Sequence, residues 1–240
     1  MILLAIETTS LKGSIALYRN RNLLAYESHQ EKNQHAERIL GMIDRCLVKG
    51  GIDAHEVERL AVGRGPGGFT GIRVGLSVAA GFQLATKADC VGVSSLASIA
   101  ANVQEDDTRL RLVILDARRN DFFMALYSHT GKELIPPKAL SSSQILSCLL
   151  EYCSSFDPHE RGELLLFGDV PEEISADFKK QLPFSIEHAP KAAHQPDAKS
   201  CALIAQKLDR DQNPLEPLYL RGANAKRPDL PISPLTLPRS

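Results

Sequence analysis

The sequence predicts an α/β protein made by duplication, with two similar domains of mixed sheet flanked by helices. Three observations predict it. The stretch Leu3-Leu4-Ala5-Ile6-Glu7-Thr8-Thr9-Ser10-Leu11-Lys12-Gly13-Ser14-Ile15-Ala16-Leu17-Tyr18 reads as strand, polar turn, strand. So does Leu112-Val113-Ile114-Leu115-Asp116-Ala117-Arg118-Arg119-Asn120-Asp121-Phe122-Phe123-Met124-Ala125-Leu126-Tyr127. Each ends an apolar strand on an acid, Glu7 or Asp116, and each closes on Ala-Leu-Tyr with the tyrosine eleven residues after the acid. A repeat of that kind argues for two units of one topology. After each hairpin, helical and extended patterns alternate, as α/β architectures require. Finally, Gly63-Arg64-Gly65-Pro66-Gly67-Gly68-Phe69-Thr70-Gly71-Ile72-Arg73-Val74-Gly75 follows an apolar run and precedes a helical one, which reads strand, glycine-rich turn, helix.

The elements follow in chain order. Met1-Ile2-Leu3-Leu4-Ala5-Ile6 carries no basic leader and meets Glu7, so a strand is expected there rather than a signal peptide. Residues 34–49 set Ile39, Leu40, Ile43 and Leu47 at helical spacing, and Gly50-Gly51 closes the run. Asp53 is placed to cap a short helix before the strand Leu60-Ala61-Val62. Beyond the glycine-rich turn a helical pattern covers 76–86. Gly71, Gly75 and Ala79 recur every fourth residue and share one helix face. A helical glycine costs about 1 kcal/mol against alanine, so close approach of another backbone is expected to compensate. Val91-Gly92-Val93 reads as a strand, with Ser94 or Ser95 capping a helix that runs to Ala101.

Polar residues over 104–109 suggest a link between a first domain, 1–103, and a second, 104–220. In the second, 143–152 reads as helix, Leu164-Leu165-Leu166-Phe167 as buried strand, 172–181 as helix and Phe184-Ser185-Ile186 as strand. Pro196 is expected at the first position of a helix over 198–208. From Arg221 the chain turns basic and proline-rich, which marks 221–240 as a tail with too little apolar surface to fold alone.

Composition narrows the function. Over 240 residues the net charge is −1, so no global field draws the chain to nucleic acid or to a membrane surface. No apolar run approaches the length of a membrane span. Five cysteines, an odd number without C-x-x-C spacing, suit reduced thiols in a cytoplasmic protein. Cys46 and Cys201 sit in apolar helical patterns and read as small core residues.

Gly63, Gly65 and Gly68 satisfy G-x-G-x-x-G, but a hairpin precedes the motif and Pro66 removes an N–H, against a dinucleotide site. A Walker-type loop, a G-x-S-x-G elbow and a Cys/His signature are all missing. The seven histidines form no H-x-x-x-H pair, so no metal site is expected. Glu7 with Thr8, Thr9 and Ser10 has two readings. With Asp116 from the matching turn it can hold metal-bound phosphate in a nucleotide site, or the hydroxyls simply satisfy turn backbone.

The ordered set Leu4-Ala5-Ile6-Glu7-Thr8-Thr9-Ser10, the glycine-rich motif, Gly92-Val93-Ser94-Ser95-Leu96, Asp116-Ala117-Arg118 and Leu218-Tyr219-Leu220-Arg221 resembles the TsaB family, also called YeaZ. The resemblance implies the duplicated actin-like, sugar-kinase-like (ASKHA) fold. It implies a non-catalytic dimerisation or scaffold subunit in the making of threonylcarbamoyladenosine beside the tRNA anticodon. TsaD would be its heterodimer partner and carry the transfer chemistry, with TsaE joining the larger complex. The chain alone would form a homodimer and meet tRNA only through the complex. ATP and metal would belong to the partner subunits, with no cofactor required here. Two departures stand out: Glu7 where the family usually shows Asp, and Gly68 where Ser is common. Rival classes are an ATP-dependent phospho- or acyl-transferase using Glu7 and Asp116, and a metallopeptidase, which the missing histidine pair opposes. The expected partner surface combines His35, Ile39, Ile43 and Leu47 with Phe69, Gly71, Ile72, Gly75, Leu76 and Ala79. A purely internal use of the glycines, letting the helix sit close on its own sheet, is the competing account.

Overall fold

A computed structural model describes residues 1–31, 34–103, 106–154, 162–168 and 170–220. The first half contains β1 (Ile2–Glu7), β2 (Gly13–Arg19), β3 (Asn22–His29), α1 (His35–Gly50), β4 (Arg59–Gly63), α2 (Phe69–Thr86), β5 (Asp89–Val93) and α3 (Ser95–Ala100). The second contains β6 (Leu110–Asp116), β7 (Asp121–Tyr127), β8 (Glu133–Ser141), α4 (Ser142–Cys153), β9 (Glu163–Phe167), α5 (Glu172–Gln181), β10 (Ser185–His188) and α6 (Ala198–Ala205).

The duplication is visible in the pairing. Sheet one runs β3-β2-β1-β4-β5, and sheet two, read in the matching direction, β8-β7-β6-β9-β10. In both, the first strand lies at the centre, antiparallel to its hairpin partner and parallel to the fourth strand. Glu7 pairs with Ser14 and Asp116 with Phe122, so the two acids occupy equivalent positions at the strand ends. This is the duplicated ASKHA arrangement.

Each sheet buries both faces. On one face of sheet one, Leu4, Ile6, Leu60 and Val62 pack against Ile39, Met42, Ile43 and Cys46 of α1 and Ala79 of α2. The equivalent face of sheet two carries α4 and α5. The inner faces are covered by exchange. Leu96, Ile99 and Ala100 of α3 pack on Val113, Ala125 and Phe167 of the second sheet, and Ala198, Cys201, Ala202 and Ala205 of α6 pack on Leu3, Ala5, Ala16 and Val91 of the first. These two helices cross between the halves; of the expected division at 103/104, residues 104 and 105 lie outside the described residues, as does the tail 221–240.

Asp197, the N-cap of α6, accepts from the Lys199 N–H at 2.8 Å and from the Tyr26 hydroxyl at 2.7 Å, and pairs with Lys12 in the β1–β2 turn. Burial alone would raise its carboxyl, but the hydrogen bonds from Lys12 and Tyr26 win and hold it below the usual carboxylate range. The first hairpin and the last helix are thereby tied together.

Some expectations change. Helix α2 begins at Phe69, seven residues before the pattern over 76–86. Its first two turns are rich in glycine, which hides the periodicity. Pro196 precedes the cap rather than opening α6, and α6 stops at Ala205 instead of Leu208. Local sequence patterns do not mark the strands β3 and β8. Both are edge strands, and β8 contains Pro136 and Pro137, which only an edge accommodates.

The small residues of α6 set its distance from sheet one. Ala202→Leu is expected to cost about 1–3 kcal/mol by overpacking. A lower urea midpoint with an unaltered m-value would show it, and an unchanged midpoint would mean α6 is loosely seated.

Candidate functional site

Why two glycines sit in the first turns of α2 is answered by what lies beneath them. A Cβ on Gly71 would strike the Thr8 carbonyl oxygen, and one on Gly75 would stand 2.6 Å from Thr8 Oγ1 and 3.3 Å from Val62 Cγ2. The helix therefore rests directly on the backbone that ends β1. Thr8 Oγ1 donates to the Gly71 carbonyl at 2.8 Å, and the Gly68 N–H donates to the Thr9 carbonyl at 2.7 Å. Thr9 Oγ1 and Ser95 Oγ share a bond of 2.7 Å that adds α3 to the cluster. The threonine hydroxyls thus clamp the glycine-rich turn.

This contact seals Glu7. Its carboxylate is fully buried, Oε1 accepts the Thr9 N–H at 2.7 Å, and Oε2 has no hydrogen-bond partner among the described residues. A Cβ on Gly63 would collide with it, so that glycine is required for the acid to fit. Burial pushes the Glu7 carboxyl up to about 7, against the lowering effect of hydrogen bonds from Thr9 and Thr8. Of the residues expected in a nucleotide site, Glu7, Thr8, Thr9, Ser10 and Asp116, the first three are buried. Glu7, Thr8 and Thr9 present no open face to a metal-bound phosphate. Ser10 Oγ is engaged with Lys12 backbone, and Asp116 is exposed and accepts the Arg118 N–H at 2.6 Å.

His35 opens α1 beside the same turn. The Glu31 N–H donates to His29 Nδ1 at 3.3 Å, which leaves the His29 proton on Nε2, facing His35 Nδ1 at 3.2 Å; His35 Nε2–H in turn donates to the Ser10 carbonyl at 2.9 Å. Every proton in this chain is assigned with both rings neutral. Burial, with the nearby charge of Arg38, lowers the His29 pKa and favours that state.

The expected partner surface divides. Ile39, Ile43, Leu47, Gly71, Ile72, Gly75 and Ala79 are buried in the chain's own core, so the internal account of the glycine face holds for them. His35 and Leu76 are half-buried, and of the expected set Phe69 alone is exposed. What sequence reading missed is the neighbouring face. Ala36 and Leu40 of α1 with Phe69, Thr70, Arg73, Val74, Ser77 and Val78 of α2 line an open groove of about 430 Å³. Leu40 is 63% exposed. The available signal was that α2 carries one charged residue, Arg73, in eighteen, and a helix apolar all round needs cover on both faces. The matching groove of the second half, between α4 and α5, is about 510 Å³ but is rimmed by Glu173 and Asp177.

Among the described residues, no group of three or more His, Cys, Asp or Glu gathers to hold a metal ion, and no helix is long and apolar enough to cross a membrane.

Comparison with known proteins agrees with this fold. A family model described as TsaD, tRNA N6-adenosine threonylcarbamoyltransferase, matches residues 26–228. The chain is 34% identical over 128 residues to the tRNA threonylcarbamoyladenosine biosynthesis protein TsaB of Escherichia coli K12; the match spans 53% of this chain and only about half of that protein, 55%. Against the TsaB protein of Bacillus subtilis it is 27% identical over 233 residues, spanning 94% of this chain and 96% of the relative. Among solved structures, YeaZ from Pseudomonas aeruginosa superposes with a TM-score of 0.70 at 21% identity, over 91% of this chain and 99% of that one, a likeness of fold.

Two substitutions test the clamp. Gly75→Leu is expected to lower the melting temperature of the monomer itself, because its side chain enters the Thr8 contact; an unchanged monomer melt would return Gly75 to an interface. Glu7→Gln tests the buried acid. Below pH 4.5 the carboxyl is protonated in both folded and unfolded chains. Between 4.5 and 7 the folded state holds the extra proton, so stability falls as pH rises, and above 7 the loss is complete at about 3 kcal/mol. The glutamine variant is expected to lack this slope and to gain on wild type as pH rises to 8. Parallel urea-stability profiles from pH 5 to 8 would contradict it.

Proposed function

The chain belongs to the TsaB (YeaZ) family, and on that premise we propose that it is a scaffold subunit, without transfer chemistry of its own, in the synthesis of threonylcarbamoyladenosine in tRNA. It docks a TsaD subunit through the α1/α2 groove, and TsaE joins the assembled pair. ATP and metal are handled by those partners, and tRNA is met by the complex, in keeping with a net charge of −1 on this chain. One observation carries the reading: α2 spends its glycine face on its own sheet and leaves a second apolar face, Phe69, Val74 and Val78, open beside Leu40. An exposed patch of this kind, with Arg73 and Phe69 at one end, has the aromatic and arginine character of an interface core. The match to a TsaD model suits it further, since like-folded subunits can pair their equivalent helices about a pseudo-twofold axis. Without TsaD the same groove serves a second copy of the chain. The sealed Glu7 gives the transferase alternative no support.

Leu40→Asp and Ser77→Asp place a charge in the groove at exposed residues outside the core clusters. Each is expected to weaken TsaD binding at least about thirtyfold, as a central contact worth 2 kcal/mol or more does, and to shift the free chain to monomer in sedimentation, with its melting temperature nearly unchanged. Full TsaD affinity in both variants would refute the docking surface.

A further inference from the structure

The His29–His35 pair has no place for a third proton. The neutral pair carries two ring N–H groups. One, on His35 Nε2, is committed to the Ser10 carbonyl, and the other lies between His29 Nε2 and His35 Nδ1. The remaining nitrogen, His29 Nδ1, accepts the Glu31 N–H. A proton added there would face that N–H, and one added between the rings would set two donors against each other. Either way, one of the three contacts has to break. Nor is there room for water beside the pair on the hairpin side. A Cβ on Gly13 would collide with His29 Nε2 and stand 2.8 Å from His35 Nδ1.

The surroundings also oppose a cation. His29 is buried. His35 is the first residue of α1, at the positive end of the helix dipole. Arg38 follows within the first turn and takes the Glu31 carboxylate at 2.7 Å, which removes the nearby acid from the rings. In the β1–β2 turn, Lys12 is paired with Asp197. Helix α2 presents the uncharged Gly71, where a Cβ would lie 3.5 Å from His35 Cδ2. The two rings therefore join β3, the hairpin turn and the start of α1, and they touch α2.

From this proton count we propose that the pair is an acid-operated latch: one proton taken up from solvent opens it, releases the first turn of α1 and weakens docking at the α1/α2 groove. The proposal rests on the docking reading above. Ala36, the next residue after His35, lines the groove with Leu40 one turn on. The His29 pKa lies below the ordinary 6.5, so the folded chain prefers the neutral ring. The stability it contributes is complete above about 6.5 and is lost as pH falls through the lower folded value. Glu7 acts in the opposite sense, since its protonation favours the folded chain.

Ring-nitrogen NMR of the full chain from pH 8 to 5 reads the latch. At pH 8 both rings are expected neutral, each with its proton on Nε2. Below pH 6.5 the pair is expected to gain a proton while the Arg38 amide, which donates to the Gln34 carbonyl, loses protection from exchange. A pair still neutral at pH 5, or a protonated pair with that amide still protected, would overturn the proposal. His35→Gln keeps a donor for Ser10 and an acceptor for His29 but takes up no proton. The ratio of its TsaD affinity to that of wild type is expected to rise from pH 7.5 to 5.5, by up to about tenfold, the limit for one pH unit below the ordinary histidine value. Titration of TsaD and of Glu7 is common to both chains and cancels in that ratio. A ratio that does not change with pH would overturn the regulation. Insensitivity of TsaD affinity to Leu40→Asp at pH 7.5 would instead defeat the docking reading, and ring titration with amide exchange would still decide the latch.

Discussion

The contact of α2 with the end of β1 is the constraint on which the rest of the site depends. Gly71 and Gly75 bring helix backbone onto Thr8, and the hydroxyl of Thr8 bonds the Gly71 carbonyl. A residue with a Cβ at Gly71 would lift the helix away, open the glycine-rich turn and expose Glu7. The intrinsic cost of two helical glycines, about 1 kcal/mol each, is thus offset locally, by burial and hydrogen bonding against the chain's own strand. No partner is needed to explain them.

That placement also orients the outer face of the helix. With Gly71, Gly75 and Ala79 turned inward, Arg73, Val74, Ser77 and Val78 point along the groove shared with Ala36 and Leu40. His35 holds the neighbouring helix at the same level through the Ser10 carbonyl and His29. The hairpin turn, the two helices and the glycine-rich loop form one packed unit, and the exposed groove is its outer surface.

The two halves are joined by exchange more than by a seam. Helix α3 leaves the first half to cover the second sheet, and α6 returns to cover the first. Small residues, Ala198, Cys201, Ala202 and Ala205, let α6 lie close to a sheet face built from Leu3, Ala5 and Ala16. The Asp197 cap then fastens α6 to Lys12 and Tyr26 of the first hairpin. Residues 213–220 extend the same return path to Phe69, so the end of the second half contributes Tyr219 to the surface of the first.

Much of this was legible without coordinates. The acid-to-tyrosine repeat announced two equivalent hairpins, and the glycine-rich run announced strand, turn and helix, because both signals are local in the chain. The i, i+4 spacing of Gly71, Gly75 and Ala79 established that they share a face, and the set of motifs established the family. Periodicity, however, says that a face is small or apolar and is silent about what covers it. Only the tertiary structure decided that Ile39, Ile43 and Leu47 face the chain's own sheet while Leu40, one residue from Ile39, stays open. It alone sealed Glu7, whose carboxyl reads in sequence as a phosphate-site acid, because burial depends on Gly63 and α2 arriving from elsewhere in the chain. The edge strands β3 and β8 and the crossing of α3 and α6 were likewise hidden, since pairing and layer order are set by long-range packing that no window of neighbouring residues contains.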